Sequence, residues 1–356
     1  MTDADLHVNV LSSVPRRKLL LQLASGAAGL LLRFPSMNAD EKSSVPDSRS
    51  ETAEGAPEES PPRPGSYTLG GMQFWGDTFY LRGYRIQQNV LTGHFRLLDA
   101  SNRRYASGTE SECREQLEHI RRTLKMTPDS GHAIIYLHGI GRTSRSMMPI
   151  RRAMPEAGFT HVMFEYPSTR IPLKQSASCL NSVLQSLTDV DRISFVVHSM
   201  GGLVVRQYLK EHGTNRIHRL VMLGTPNKGA ELADMLRSNF AFRTIFGPAG
   251  QELVTDDVGT IRSLPTPTCE FAVVAGGRND GKGFNPLLPG DDDGTVTVDS
   301  ARLEGAADFL LVPKVHSFLM SDPTVIAAVR HFLDHGRFFP DRPASPIVAP
   351  RPEAKV

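Results

Sequence analysis

Ser199 is the first candidate for chemistry, because it lies between a strand-like run and a helical run. Residues 193–197 are mostly apolar, and residues 201–211 have a helical pattern. A serine in a strand-to-helix turn, with a glycine two residues later, is typical of a nucleophile elbow. Val197 replaces the usual first glycine of that pattern. We predict that Ser199 is a nucleophile; a serine that only caps the helix is the alternative.

A serine nucleophile requires a general base, and a carboxylate must hold that base in the correct tautomer. His316 follows the last apolar runs of the chain, and Asp293 precedes it. The resulting order is serine, aspartate, histidine. His138 and His198 lie in the segments around the serine, but the base is expected after the last strand. We therefore interpret these two histidines as structural.

Two Asp-Gly pairs compete for the role of the acid. Asp280 lies closer to the preceding apolar run, but in a Gly-rich stretch that is typical of a flexible loop. Asp293 leads into the Thr-Val-Thr-Val run at residues 295–298. The sequence favours Asp293, with Asp291 and Asp292 as spectators. A calcium loop is the alternative for this acidic run, although the EF-hand spacing is absent.

Backbone N–H groups near the serine could stabilise an oxyanion. His138 and Gly139 follow the apolar run at residues 133–137, where a loop can donate one such N–H. The residue after the nucleophile donates the other. The predicted donors are Ile140 and Met200, and each such donor is worth on the order of 3 kcal/mol in a transition state.

The elements that must position these residues follow from the apolar pattern. Short runs that are apolar throughout are typical of strands buried on both faces. They occur at residues 133–137, 161–164, 193–197, 220–223 and 271–275. Helical stretches alternate with them, at about residues 144–157, 173–188, 201–211 and 323–335. Residues 79–86 and 94–98 are predicted antiparallel strands before a helix at about 111–124. The alternation predicts an α/β fold with a doubly wound, mostly parallel sheet.

Together these motifs resemble the α/β-hydrolase superfamily, and within it bacterial lipases and esterases. The matching segments are His138-Gly139, the elbow at Ser199, Leu-Gly-Thr-Pro-Asn-Lys-Gly at 223–229, Asp-Gly-Thr-Val at 293–296 and His316-Ser317. The resemblance implies an α/β-hydrolase sheet with N-terminal antiparallel strands and a small helical insertion. It also implies a triad of Ser199, Asp293 and His316 that works through an acyl-enzyme, without metal or organic cofactor.

We expect a small-molecule or lipid ester with an apolar acyl group as the substrate. An acyltransferase or thioesterase with the same triad is one alternative. A non-catalytic binding protein on a hydrolase scaffold is another, which the valine at position 197 keeps open.

An insertion at about residues 229–265 is rich in large apolar side chains, some of them at helical spacing. These are Leu232, Met235, Leu236, Phe240, Phe242, Ile245 and Phe246. A mobile lid over an acyl pocket has this pattern, and so has a helical excursion packed on the sheet. Its aromatic residues favour an apolar acyl group over a charged one.

The N-terminal segment, residues 1–38, has the features of an export signal. Arg16 and Arg17 precede a short apolar stretch, as in signals of the twin-arginine type. The stretch is shorter than the ~20 residues of a membrane span, and a helix that starts the fold or an uncleaved anchor is the alternative. We expect export to a bacterial periplasm or beyond it, with membrane contact through this segment or the lid.

The remaining boundaries follow from composition. Residues 39–66 are rich in Glu, Ser and Pro and are predicted to be a disordered linker. Residues 67–338 are the predicted α/β-hydrolase domain, and residues 339–356 a Pro-rich, extended and unpacked tail.

Charge and cysteine usage exclude two further classes of function. The formal net charge is +2 and the basic pairs are scattered, so we expect no nucleic-acid partner. The cysteines Cys113, Cys179 and Cys269 form no Cys-x-x-Cys motif, so no zinc site is predicted. Whether two of them form a disulfide is left open by the sequence.

Overall fold

The computed structural model describes residues 65, 67, 72–231, 247–253 and 259–348. The export segment, nearly all of the linker and the apolar residues of the insertion between 232 and 246 lie outside these ranges. Expectations about those segments, including the twin-arginine signal and the lid, stay predictions.

An antiparallel sheet and a helix open the described part of the chain. The elements are β1 (Trp75–Leu81), β2 (Tyr84–Asn89), β3 (Phe95–Leu98), β4 (Arg104–Gly108) and α1 (Glu110–Thr123). The strands follow one another in the sheet in chain order, all antiparallel. The predicted strand 79–86 is in fact two strands, because Arg82 and Gly83 turn the chain with φ of 47° and 88°. Two residues at positive φ form the turn that suits a tight hairpin.

Six parallel strands form the second sheet and confirm the predicted fold class. They are β5 (Ser130–Leu137), β6 (Phe159–Phe164), β7 (Asp189–His198), β8 (Ile217–Leu223), β9 (Glu270–Gly276) and β10 (Asp308–Val312). Their order is β10-β9-β8-β7-β5-β6. All five predicted runs fall within β5 to β9. The edge strand β10 was not predicted, because so short an apolar run does not distinguish a strand from a buried helical segment.

Helices cover both faces of the parallel sheet. They are α2 (Met148–Ala153), α3 (Leu173–Ser186), α4 (Met200–His212), α5 (Val298–Ala301) and α6 (Pro323–His335). Consecutive residues of a strand point to opposite faces of the sheet and pack against different helices. Ile135 and Phe195 pack in a core with α3 and α4, whereas Tyr136 and Val196 pack in a core with α2 and α6. Both faces of each central strand are therefore buried, which explains the continuous apolar runs.

The predicted helix at 144–157 is shorter in the structure. A 3₁₀ turn (Ser144–Met147) leads into α2, and Pro149 lies in the first turn of that helix. Proline fits this position because its missing N–H would have no helical partner. The helix ends at Ala153, and the backbone of Met154 is extended before Pro155, as expected for a residue that precedes proline.

Several further features bear on the sequence-based expectations. The three cysteines are free thiols. No helix among the described residues has the length and apolar character needed to cross a membrane. The described part of the tail contacts the domain: Ser345 donates its N–H to Asp308 at 2.8 Å, and Ile347 exchanges backbone hydrogen bonds with Gly305 and Ala306. This part of the tail is extended but packed, unlike the unpacked tail that was expected.

Phe332 tests the contribution of α6 to the fold. Its side chain is fully buried in the core beneath α6 and contacts Phe338, with ring centroids 5.5 Å apart. We expect Phe332→Ala to lower the free energy of unfolding by about 3–5 kcal/mol, because it leaves a cavity. The exposed Arg330 on the same helix is the control, and Arg330→Ala should change the value by less than about 0.5 kcal/mol. Urea denaturation measures both, and equal effects would contradict the assigned face of α6.

Candidate active site

The candidate site lies where the connections of the parallel sheet diverge. The strands β5 and β7 are neighbours, but β5 leads to β6 on one side and β7 leads to β8 on the other. Ligands in open α/β sheets bind in the crevice at the carboxyl ends of two such strands. The loop after β5 begins with His138, and Ser199 directly follows β7. Sheet topology thus brings the two predicted motifs to one edge.

Ser199 occupies a strained turn between β7 and α4. Its φ of 54° and ψ of −126° are unfavourable for a residue with a side chain. The turn is also close-packed, because a Cβ at Gly201 would lie 2.9 Å from the carbonyl oxygen of His138 and from the Cβ of Leu137. Val197 is buried within β7, where it pairs with Leu137 and Met222. The valine that departs from the usual motif therefore lies in the strand and not at the strained position.

Asp293 and His316 form the most direct side-chain contact of the site. The Nδ1 atom of His316 lies 2.7 Å from Oδ2 of Asp293, and the backbone N–H of His316 donates to the carbonyl oxygen of Asp293 at 2.8 Å. The other carboxylate oxygen of Asp293 accepts the N–H groups of Thr295 and Val296 at 3.0 and 2.8 Å. Both carboxylate oxygens are therefore bound, and His316 Nδ1 is fixed as the nitrogen that faces the carboxylate.

The other aspartates of this region shape the loop before Asp293. Asp280 is exposed, accepts N–H groups from Lys282 and Gly283 and pairs with Arg278 at 2.9 Å. It has no contact with His316 among the described residues. Asp291 and Asp292 also accept backbone N–H groups, from residues 278, 279 and 292 and from residues 285 and 294 respectively. Their carboxylates hold the backbone of this loop, and neither is a hydrogen-bond partner of His316 among the described residues.

The predicted oxyanion donors lie beside Ser199. A Cβ at Gly139 would lie 2.9 Å from the Cβ of Ser199, so the loop after β5 contacts the serine directly. Ile140 is the next residue of that loop, and its N–H has no hydrogen-bond acceptor among the described residues. Met200 is the first residue of α4, where an N–H has no partner within the helix. Neither N–H group has an acceptor in the part of the chain that the structure describes, and their assignment as the oxyanion hole stays a prediction.

His198 positions His316. Its Nε2 lies 3.1 Å from the carbonyl oxygen of His316, and the ring centroids are 4.6 Å apart. Burial, followed by the charges of His316 and Arg142, holds the pKa of His198 well below its usual value. A neutral imidazole that donates from Nε2 fits this environment. The structural role expected for His198 is thus to hold the backbone of His316, the predicted base.

His138 and Glu165 form a buried polar pair below the loop after β5. The Nε2 atom of His138 lies 3.1 Å from Oε1 of Glu165, and both side chains are almost fully buried. The other carboxylate oxygen accepts the N–H and hydroxyl of Ser144 at 3.0 and 2.8 Å. Tyr166 stacks on the His138 ring and donates its hydroxyl to the His138 carbonyl oxygen at 2.6 Å. These contacts hold the strand end that carries Gly139 and Ile140.

The same network reaches the antiparallel sheet. The N–H of Glu165 donates to Asp77 of β1 at 2.7 Å, and Asp77 also accepts from Gln87 and lies 3.7 Å from Arg85. Burial raises the pKa of Asp77 to about 6, although Arg85 opposes that shift. This network was not predicted from the sequence. One sequence feature could have indicated the network, since the charged Glu165 directly follows the apolar end of β6.

No group of three or more metal-ligating side chains occurs among the described residues. The carboxylate oxygens of Asp291 and Asp292 accept backbone N–H groups, as described above.

Glu165 tests the network below the loop. Burial would raise its pKa, but His138 and the hydrogen bonds from Ser144 hold that pKa below the usual 4.5. A lowered folded-state pKa stabilises the protein above the unfolded pKa, and the stabilisation is lost as pH falls through the folded pKa. Glu165→Gln should therefore lower the free energy of unfolding by about 3 kcal/mol at pH 7. The difference from wild type should shrink below pH 4.5 in urea titrations.

The matched control is Glu156→Gln. Glu156 is exposed and pairs with Arg151 at 2.8 Å on the surface, and loss of such a pair changes stability by less than about 1 kcal/mol. A Glu165→Gln protein as stable as this control would contradict the role of the buried carboxylate.

Both the sequence and the fold of the chain are similar to those of known proteins. Residues 132–245 match the family described as the α/β hydrolase fold. No curated protein matches the chain significantly. The mature lipase BlEst2 of Bacillus licheniformis is 20% identical, with 58% of this chain and 91% of that chain covered and a TM-score of 0.43. Phospholipase PlaB of Legionella pneumophila is 15% identical, with 57% of each chain covered and a TM-score of 0.44.

An esterase of Thermogutta terrifontis is 15% identical, with 58% of this chain and 91% of that chain covered and a TM-score of 0.38. These likenesses concern the fold alone. The family match agrees with the parallel sheet order and with the strained serine turn after β7. The chain therefore has the α/β-hydrolase fold.

Proposed function

We propose that the protein is a serine hydrolase that cleaves carboxylic esters through an acyl-enzyme. The observation that carries the proposal is the 2.7 Å contact between His316 Nδ1 and Asp293 at the same sheet edge as the strained Ser199 turn. A buried carboxylate on Nδ1 leaves Nε2 of His316 to exchange protons with a serine hydroxyl. Serine, base and acid also occur in the chain order of α/β hydrolases.

The reaction divides into two acyl transfers. The Oγ atom of Ser199 attacks the ester carbonyl carbon while Nε2 of His316 takes its proton, and Asp293 stabilises the imidazolium that forms. The N–H groups of Ile140 and Met200 bind the oxyanion of the tetrahedral intermediate. The intermediate collapses, His316 protonates the leaving alcohol oxygen, and an acyl-serine remains. Water then attacks the acyl-serine with His316 again as the base, which releases the carboxylic acid and restores Ser199.

Exposed apolar side chains around the site support an apolar acyl group. Phe318 follows His316 by two residues and is 58% exposed, and Phe284 and Leu287 protrude from the loop that leads to Asp293. These side chains provide apolar surface at the carboxyl edge of the sheet. The predicted lid residues would add to it.

The first test removes the nucleophile and the base. We expect Ser199→Ala and His316→Ala each to abolish most turnover of p-nitrophenyl esters, without loss of the folding transition. Triad residues act as a unit, so the double variant should be hardly slower than either single one. A fluorophosphonate probe should label wild type but not Ser199→Ala.

Hydrolysis of a graded series of acyl chains, with and without an added alcohol, separates an esterase from an acyltransferase. Multiplicative losses in the double variant, or labelling that persists in Ser199→Ala, would contradict the mechanism.

The second test concerns the acid. Asp293→Asn should keep the fold but lower kcat by a factor on the order of 10⁴, because the amide favours the wrong tautomer of His316. Asp280→Asn is the matched control, since Asp280 is exposed on the loop before Asp293. It should retain activity near that of wild type. The assignment is wrong if Asp280→Asn loses activity while Asp293→Asn retains it.

A further inference from the structure

Arg142 bridges the two sides of the candidate site. It lies in the loop after β5, where its N–H donates to the carbonyl oxygen of Gly139 at 3.2 Å. Its guanidinium donates from Nη2 to the hydroxyl of Ser317 at 2.6 Å, and Ser317 is the residue after His316. Gln73 donates to its backbone carbonyl oxygen at 2.7 Å. The side chain is thus held between the predicted oxyanion loop and the predicted base.

The guanidinium of Arg142 is underused as a hydrogen-bond donor. It is partly buried, and burial lowers its pKa. It nevertheless has no carboxylate within 4.0 Å in the part of the chain that the structure describes, and the Ser317 hydroxyl is its one side-chain hydrogen bond there. A guanidinium has five N–H donors in a planar fork. An acceptor that binds several of them at once is the natural partner of this group.

Two other arginines of the protein, Arg206 and Arg216, use several of their donors within the chain. Arg206 donates to the carbonyl oxygens of Pro265, Asn227 and Leu264, and Arg216 donates to three carbonyl oxygens at the end of α3 and the start of β7. These arginines hold loops and helix ends together. Arg142 differs from them because its guanidinium has a single acceptor, the Ser317 hydroxyl, among the described residues.

The position of Arg142 relates it to one half of an ester. His316 must protonate the leaving oxygen, so the alcohol half lies on the His316 side of the site. Ser317 holds the guanidinium on that side. Guanidinium groups bind carboxylate and phosphate oxygens in a bidentate manner, by charge-assisted hydrogen bonds.

We propose that Arg142 binds an anionic group, a carboxylate or a phosphate, on the alcohol half of the ester substrate. This inference rests on the proposed ester hydrolysis and assigns the class of its substrate. Arg142 is a specificity residue in this scheme and takes no part in bond making or breaking.

The experiment compares esters that differ in one charge. The soluble pair is 4-acetoxybenzoate and its methyl ester, which share an acetyl group and an aryl alcohol. The lipid pair is dihexanoyl phosphatidic acid and dihexanoylglycerol, used as monomers. The variants are Arg142→Gln, Arg142→Lys and the control Arg145→Gln, since Arg145 is exposed in the next turn of the chain.

We expect Arg142→Gln to lower kcat/KM for the anionic member of at least one pair by about 10-fold or more, as for loss of a charged hydrogen bond. The neutral member should change by less than about threefold, and Arg145→Gln should leave both members unchanged. The Arg142→Lys protein should be intermediate, because it keeps the charge but loses the fork. The pair that responds identifies a soluble anion or a lipid headgroup as the source. Equal losses for both members, or no loss in either pair, overturn the proposal.

Two further measurements test the proposal: the first uses only the wild-type protein, and the second measures binding without turnover. In wild type, the preference for the anionic ester should fall as NaCl is raised, because salt screens the attraction. In titration calorimetry, 4-hydroxybenzoate should bind Arg142→Gln at least fivefold more weakly than wild type. A wild-type protein that hydrolyses none of the esters would refute the proposed function, whereas the calorimetry would still decide whether Arg142 binds the anion.

Discussion

A carboxylate can be buried in a protein interior only if hydrogen-bond donors surround it. Asp77, Glu165 and Asp293 are each almost fully buried, and each is surrounded in this way. The Asp293 carboxylate accepts two backbone N–H groups and contacts His316 Nδ1. The Glu165 carboxylate accepts the N–H and hydroxyl of Ser144 and lies against His138. The Asp77 carboxylate accepts the N–H of Glu165 and the side-chain amide of Gln87. Several of these donors belong to the loops that carry Ser144, Thr295, Val296 and His316. The need to satisfy these charges therefore fixes the loops that form the site.

The polar network also explains why the small antiparallel sheet accompanies the parallel one. Asp77 belongs to β1, yet its carboxylate accepts the N–H of Glu165, whose side chain supports the loop of Gly139 and Ile140. A change in the first sheet can therefore reach the predicted oxyanion donors through two buried side chains. This link is physical and local, since every step is a hydrogen bond or a close ion contact.

The sequence predicts most of the fold and the triad candidates, for definite reasons. Strands buried on both faces have continuous apolar runs, and α6 has both an Asp cap and a proline at its start. These elements can therefore be predicted from the sequence alone. The strand β10 and the turn at Gly83 are not, because a short run or a single glycine permits several structures. Arg142 and Glu165 were missed because their importance depends on contacts with residues distant in the chain. The twin-arginine signal and the lid stay predictions.

The conformation of Ser199 has a consequence for how this protein can evolve. Glycine adopts a φ of 54° without strain, whereas serine at that position raises the free energy of the folded state. Selection for folding alone would thus favour glycine at the centre of the turn, at the expense of the hydroxyl. A serine at this position therefore requires a benefit other than stability, and the rest of the fold must be stable enough to offset its strain.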